Sequence, residues 1–248
     1  MSSLTSITRD LRRETAAMRF APPVAYVYRP LEYAWAPHRS YLERYGGARN
    51  AVLLVGMNPG PFGMTQTGVP FGEVGMVRDW LGITGRVRRP KREHPKRPVQ
   101  GFACTRSEVS GTRFWGWARA RFDTPERFFA RFFVWNYCPL VFLEASGRNR
   151  TPDKLTQAER SALFAVCDRA LARAIEELSP RVVVGLGRFA ESRVEIVAHG
   201  RVRVVAGGIL HPSPANPRAN AQWAREAERG LAALGVDVMA LAGGTAED

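Results

Sequence analysis

The stretch Ala51-Val52-Leu53-Leu54-Val55-Gly56-Met57-Asn58-Pro59-Gly60-Pro61-Phe62-Gly63-Met64-Thr65-Gln66-Thr67-Gly68-Val69-Pro70-Phe71-Gly72 decides how the rest of the chain is read. Its first five residues are an unbroken apolar run, the pattern of a strand buried on both faces. The run empties into a loop carrying five glycines and three prolines between Gly56 and Gly72. Such a backbone bends sharply, is held stiffly and lets main-chain groups approach a ligand. The loop has neither the Gly-Lys-Ser/Thr of a Walker A motif nor the Gly-x-Gly-x-x-Gly order of a dinucleotide fingerprint, so generic phosphate binding is a poor reading.

The same punctuation recurs downstream. Phe128 to Trp135 passes from the end of a helix into an apolar strand that runs into Asn136-Tyr137-Cys138-Pro139-Leu140. Arg181-Val182-Val183-Val184 reads as a strand turned by Gly185-Leu186-Gly187 into a helix with Phe189, Val194 and Ile196. Val202-Arg203-Val204-Val205 reads as a fourth strand leading to Gly207-Gly208-Ile209-Leu210-His211. Thr156-Gln157-Ala158-Glu159 is a capping box opening a long amphipathic helix to about Leu178, and a last helix is expected from about Ala219 to Leu234. Earlier in the chain, Thr8 to Met18 suits a short helix and Val24 to Tyr28 an extended segment. Val74 to Leu81 has helical spacing that should turn Val74, Val77 and Leu81 inward, and Tyr33, Trp35, Tyr41 and Tyr45 are read as core.

Strands alternating with helices predict a three-layer α/β/α fold around a central, mainly parallel four-stranded sheet. One domain is expected over 1–248, with its core at 20–236, an N-terminal extension at 1–19 and a loose tail at 243–248. Ligands of such sheets bind beyond the carboxyl ends of the strands. Asn58, Asn136, the Gly185–Gly187 turn and His211 should therefore meet on one rim.

Charge narrows the partner. Against 23 Asp+Glu stand 36 Lys+Arg, a formal charge of +13 that favours a polyanion, with nucleic acid ahead of an anionic membrane. The densest patch is Arg86-Val87-Arg88-Arg89-Pro90-Lys91-Arg92-Glu93-His94-Pro95-Lys96-Arg97-Pro98, where one Glu faces seven cations and the prolines exclude regular structure. A solvated charge run is the alternative to phosphate contact there. Three scattered cysteines without a Cys-x-x-Cys pair give no disulfide framework and no zinc or iron-sulfur motif, and neither a signal sequence nor a bilayer-spanning run is evident. A metal-free, cofactor-free protein of the cytosol is expected.

At the rim the residues offer two amides, an imidazole, glycine-rich backbone and aromatic faces, but no carboxylate pair for conventional glycoside hydrolysis. Each has an ordinary structural alternative: Asn-Pro often starts a turn, a strand-end Asn often ties a loop, and a lone His is often structural. Together they carry a resemblance. Gly56 to Met64, with Gln66-Thr67-Gly68-Val69-Pro70-Phe71-Gly72-Glu73, resembles the first motif of the single-strand-selective monofunctional uracil-DNA glycosylases, and His211-Pro212-Ser213-Pro214 with Asn216-Pro217 resembles their second. Tyr33-Ala34-Trp35 with Pro37-His38, Glu93 to Pro98, Ser107 to Gly111 with Arg113-Phe114-Trp115-Gly116, and Asn136 to Leu140 extend the similarity from about Val24 to Trp223.

The resemblance implies base excision from DNA, single- or double-stranded, by a monomer without cofactor that works on chromosomal DNA. It assigns Asn58 to positioning the hydrolytic water and His211 to hydrogen-bonding uracil O2. Phe71 would stack on the extruded base and Asn136 would read its Watson-Crick edge, while Gly60 and the main chain near Met64 would leave room beside C5 for a 5-hydroxymethyl group and refuse thymine. Gly56 and Met57 complete the base-binding set. The wedge that enters the duplex matches Pro212, Ser213, Pro214, Ala215, Asn216, Pro217 and Arg218. The family commonly has arginine at the position of Ala215, and whether Arg218 fills the vacated stack is left open by the sequence. Arg88, Arg89, Lys91, Arg92, Lys96 and Arg97 supply phosphate contacts on the charge reading. Two rivals stand beside the glycosylase: a module that binds damaged or single-stranded DNA without cutting it, and a hydrolase of free nucleosides.

Overall fold

The computed structural model describes residues 3–47, 51–202, 204–215 and 217–243. In chain order the elements are α1 (Ser3–Ala16), β1 (Val24–Tyr28), α2 (Pro30–Tyr33), α3 (Trp35–Tyr45), β2 (Val52–Gly56), α4 (Met64–Thr67), α5 (Val109–Phe122), α6 (Pro125–Phe129), β3 (Phe132–Asn136), β4 (Val141–Glu144), β5 (Asn149–Arg150), α7 (Gln157–Leu178), β6 (Val182–Leu186), α8 (Arg188–Ala198), β7 (Val205–Ile209), α9 (Pro217–Ala233) and α10 (Val238–Gly243). The four expected parallel strands form one sheet in the order β3-β2-β6-β7. Val52 lies opposite Phe132 on one side and Val182 on the other, and Val182 opposite Val205. That register brings the carboxyl ends level, with Gly56 beside Asn136 and Leu186 beside Ile209.

Burial explains the sequence pattern. Every residue of β2, β3 and β6 is buried, because helices cover both faces of the sheet, and apolar runs without alternation are the result. Thr156 and Glu159 close the capping box at the start of α7, each side chain accepting from the other's backbone N–H. Val74, Val77 and Leu81 point inward as the spacing required, although the turn at Met76–Trp80 is a π-helix. Tyr33, Tyr41 and Tyr45 are core residues, and the Tyr41 hydroxyl donates to the Val134 carbonyl at 2.8 Å. Trp35 is half-buried beneath the Arg9 and Arg12 guanidinium groups.

Three readings are corrected. The fourth strand is Val205–Ile209, not Val202–Val205, and so contains Gly207 and Gly208. Glycines normally mark the end of a strand; here a Cβ on Gly207 would lie 2.6 Å from Leu234 and one on Gly208 2.4 Å from the Glu191 carboxyl carbon. The bare backbone lets neighbouring segments close on this edge strand. Second, the segment before residue 20 is not an extension: α1 buries Leu4, Ile7 and Leu11 in the main core. Third, a separate antiparallel sheet forms in the order β1-β4-β5; no local pattern announces it, because β4 begins directly after Pro139-Leu140, the end of the run into which β3 passes.

Candidate active site

All four parallel strands discharge into one cleft of about 570 Å³. It is lined by Met57, Asn58, Gly60 and Pro61 after β2, by Asn136 at the end of β3, by Gly187, Arg188 and Phe189 after β6, and by His211 and Ser213 after β7. The convergence expected from topology is therefore present. The loops are tied to one another: the Tyr137 and Cys138 amides donate to the Gly56 and Met57 carbonyls, each at 2.9 Å, and Gly187 N–H donates to the Ile209 carbonyl at 2.8 Å. Gly187 has φ +89°, a left-handed conformation suited to glycine, and a Cβ there would sit 3.0 Å from that of His211. The turn after β6 thus doubles as the wall behind the imidazole.

Asn58 donates its Nδ2 to the Leu140 carbonyl at 3.1 Å. A carbonyl can only accept, so this contact fixes which end of the amide faces the protein. Among the described residues Oδ1 has no partner and remains an acceptor in the cleft. His211 differs: neither ring nitrogen has a partner among the described residues, and burial pulls its pKa down from 6.5 to about 4. The imidazole is neutral at neutral pH.

Asn136 is held by different means. Its Nδ2 lies 3.1 Å from the Met64 sulfur, and a Cβ on Gly56 would come within 2.4 Å of its Oδ1. A thioether is only a weak acceptor, so the NH2 end faces Met64 while the carbonyl lies over the bare Gly56 backbone. The side chain of Met64, expected to matter only through its main chain, therefore helps hold the orientation of the Asn136 amide. Met64→Leu keeps the volume but loses the acceptor. In the base-reading role that the resemblance implies for Asn136, it is expected to narrow the preference for uracil over cytosine by about fivefold, because a neutral hydrogen bond is worth about 1 kcal/mol; paired single-turnover assays on the two bases check it.

Phe71 is buried, with its ring stacked on Phe114 at a centroid distance of 4.9 Å and 5.9 Å from the His211 ring. Its φ of +52° is unusual for a bulky residue. The bend is fastened on both sides: the Thr67 hydroxyl donates to the Gly72 carbonyl at 2.9 Å, and Glu73 N–H donates to the Phe71 carbonyl at 2.8 Å. Here the glycine-proline loop spends its stiffness on aiming one ring.

The basic segment is irregular, as its prolines demanded, but anchored. His94 is buried; its Nδ1 accepts from the Lys96 amide at 3.1 Å, so Nε2 is the nitrogen that donates to Ala145 at 2.9 Å. Tyr28 donates to the Arg97 carbonyl and accepts from the His94 amide. The missed antiparallel sheet is thus the platform for the charge run. Arg88, Arg89, Lys91, Arg92 and Lys96 are exposed, while Arg97 is half-buried with its guanidinium 5.4 Å from the Phe62 ring. The Arg106 guanidinium lies 4.0 Å from the same ring centroid and extends the patch to the β2 loop, a position sequence reasoning did not single out.

Pro214 and Ala215 stand exposed at the tip of the loop after β7, and Pro217 is exposed at the start of α9. Pro212 is buried and Ser213 half-buried, its hydroxyl accepting from the Ala215 amide at 3.2 Å. The loop is braced from behind. Arg113 donates to the Pro212 carbonyl at 3.2 Å and to Asn220 Oδ1 at 2.8 Å, Asn220 donates to the Pro214 carbonyl at 3.0 Å, and Trp223 donates to the Leu210 carbonyl at 2.7 Å. Asn216 and the Arg218 side chain lie outside the described residues.

The cleft also contains polar residues that were not assigned to it: Glu108, Ser110, Asn149, Thr151 and Arg188. The signal for Glu108 and Ser110 was their place in the Ser107 to Gly111 motif; Asn149 and Thr151 are brought in by the β5 sheet, which no local pattern announced. Among the described residues, no cluster of three or more His, Cys, Asp or Glu could hold a metal, and no helix is long and apolar enough to cross a membrane.

The family model described as the uracil DNA glycosylase superfamily matches residues 43–233. The chain belongs to that superfamily. The matched span takes in the ends of all four parallel strands and every cleft residue named above. Single-strand selective monofunctional uracil-DNA glycosylases are similar to this superfamily member over 91% of its length: the rat protein at 51% identity over 82% of its own chain, and the cattle protein at 52% over 84%. The crystal structure of wild-type Pedobacter heparinus SMUG2 superposes with a TM-score of 0.65, covering 92% of this chain and 97% of that one. At 17% identity that likeness speaks for the superfamily fold alone.

Proposed function

We propose that this chain hydrolyses the N-glycosidic bond of uracil and of 5-substituted uracils such as 5-hydroxymethyluracil in single- and double-stranded DNA, leaving an abasic site. The observation that carries the reading is the meeting, in one cleft, of a neutral His211 and an Asn58 Oδ1 that have no partner among the described residues with an Asn136 of fixed polarity. The base would leave the duplex, since its glycosidic bond cannot be reached inside the stack. It would lie on Phe71 with Asn136 donating to O4 and accepting from N3–H, a pattern that cytosine reverses.

Asn58 would orient water toward C1′ through Oδ1. An amide is too weak a base to remove a proton early, so the C–N bond breaks largely before water attacks, and the barrier falls chiefly by stabilising the departing base. His211 does this by donating to O2 as charge gathers there. The braced loop with Pro214 and Ala215 at its tip would enter the space the base leaves.

The test is an oligonucleotide with a single uracil, incubated with the protein and cleaved with hot alkali. A strand break at the uracil is expected; folded protein at high concentration giving no break refutes the reading. Tight, salt-sensitive binding without base release would point instead to a binding module, and deoxyuridine cleaved as readily as uracil in DNA would point to a nucleoside hydrolase. Neutralising Arg88, Arg89, Arg92 and Lys96 together is expected to weaken DNA binding across sequences and to reduce the slope of log K against log salt by about 3. Binding titrations at several salt concentrations check this; an unchanged slope removes the segment from the DNA path.

A further inference from the structure

Glu108 is the one acidic residue lining the cleft among the described residues, and the proposed reaction does not use it. It occupies the N-cap position of α5, yet its side chain makes no cap hydrogen bond. No hydrogen bond or ion pair reaches its carboxyl group from any described residue, although its backbone carbonyl accepts from Thr112 N–H. The side chain instead turns toward the β2 loop. A Cβ on Gly60 would lie 1.6 Å from Oε1, and one on Gly63 would lie 1.8 Å from Oε2. The room left by those glycines is therefore occupied by a carboxyl group.

The side chain is half-buried in the cleft wall, and withdrawing a carboxyl group from water even in part without a partner is unfavourable. Burial, reinforced by the charge of Glu73, raises its pKa to about 7. The geometry of the base reading, on which this inference rests, says what a partner would be. With O2 at His211 and the N3–O4 edge at Asn136, C5 lies across the ring from C2 and next to C4. It points away from His211, on the side where Met64 meets Asn136 and the Gly60–Met64 turn closes. That is the side on which Glu108 fills the glycine gap.

We propose that Glu108 determines specificity at C5: its carboxyl group is the hydrogen-bonding partner of a polar 5-substituent, a hydroxymethyl group above all. A hydroxyl donates to the ionised carboxylate and can also accept from the protonated acid, so either state serves. The methyl group of thymine offers neither bond and would press carbon against a half-buried carboxyl group. A site built around a hydrogen bond rejects the analogue that lacks it.

The experiment measures single-turnover release of uracil and of 5-hydroxymethyluracil from otherwise identical oligonucleotides, by wild type, Glu108→Ala and Glu108→Gln. In the alanine variant the ratio of 5-hydroxymethyluracil to uracil rates is expected to fall about tenfold, the scale of a hydrogen bond to a charged group. Glutamine is nearly isosteric and keeps both a donor and an acceptor, so its ratio should fall less. Equal losses on both bases, or an unchanged ratio in both variants, would overturn the assignment while leaving the glycosylase reading intact. Release of neither base by the wild type would overturn both.

Discussion

Replacing His211 with alanine is expected to lower single-turnover uracil release by about 10²–10³-fold while weakening DNA binding by less than about tenfold. The asymmetry follows from where the interaction exists. On the proposed reading, O2 of the bound substrate carries only the partial charge of a carbonyl; as the bond to C1′ breaks, the base takes up the electron pair and the bond from His211 would strengthen. The imidazole is ready for that task because burial holds its pKa near 4, and the charged form is not needed at neutral pH. The sign is definite. Protons bind His211 only as the pH falls through about 4, so the ring stays neutral from pH 5 to 8 and contributes no titration to the rate there. NMR titration of the ring, with rates measured on the same samples, checks both statements. Equal losses in binding and turnover would reduce His211 to a binding contact.

The parts of this protein legible in its sequence are those whose cause is local. The apolar run at Val52–Val55, the capping box at Thr156 and Glu159, and the proline-broken charge run each signal their structure within a few residues, and the parallel sheet follows from their order. Asn58, Asn136 and His211 could be placed on one rim because the carboxyl ends of parallel strands must share a side. What stayed hidden depends on contacts between distant segments. Gly207 and Gly208 argue against a strand until Leu234 and Glu191 are seen packed over them. Glu108 carries no local signal of its place until its carboxyl group is found at Gly60 and Gly63, some fifty residues earlier in the chain. The same holds for Met64, whose sulfur matters only because Asn136 arrives from another strand.

Gly56→Ala should be about as damaging as loss of a catalytic group, although Gly56 performs no chemistry. It is the last residue of β2, and the Asn136 amide and the Phe71 ring both close on the space where its side chain would be. An added Cβ would fall 2.4 Å from Asn136 Oδ1 and 2.9 Å from the Phe71 ring, two contacts that cannot be relieved together. Neither neighbour is free to yield: Asn136 is pinned at Met64, and Phe71 is backed by Phe114 with its backbone already at φ +52°. On the proposed reading, shifting either by about 1 Å would take the base out of line with His211 and Asn58, and misplacement on that scale costs about 10²-fold in rate. Stability should suffer much less, since β2 continues as a strand and its cross-strand partners keep their register. Gly116→Ala is the matched control, because a Cβ there meets nothing within 4 Å and alanine favours the α5 helix. Circular dichroism, melting temperature and single-turnover release on both variants decide the matter: near-native melting with a hundredfold slower release is expected for Gly56→Ala, and wild-type release would show that the pocket tolerates the movement and that reader and ring are not held as tightly as their contacts imply.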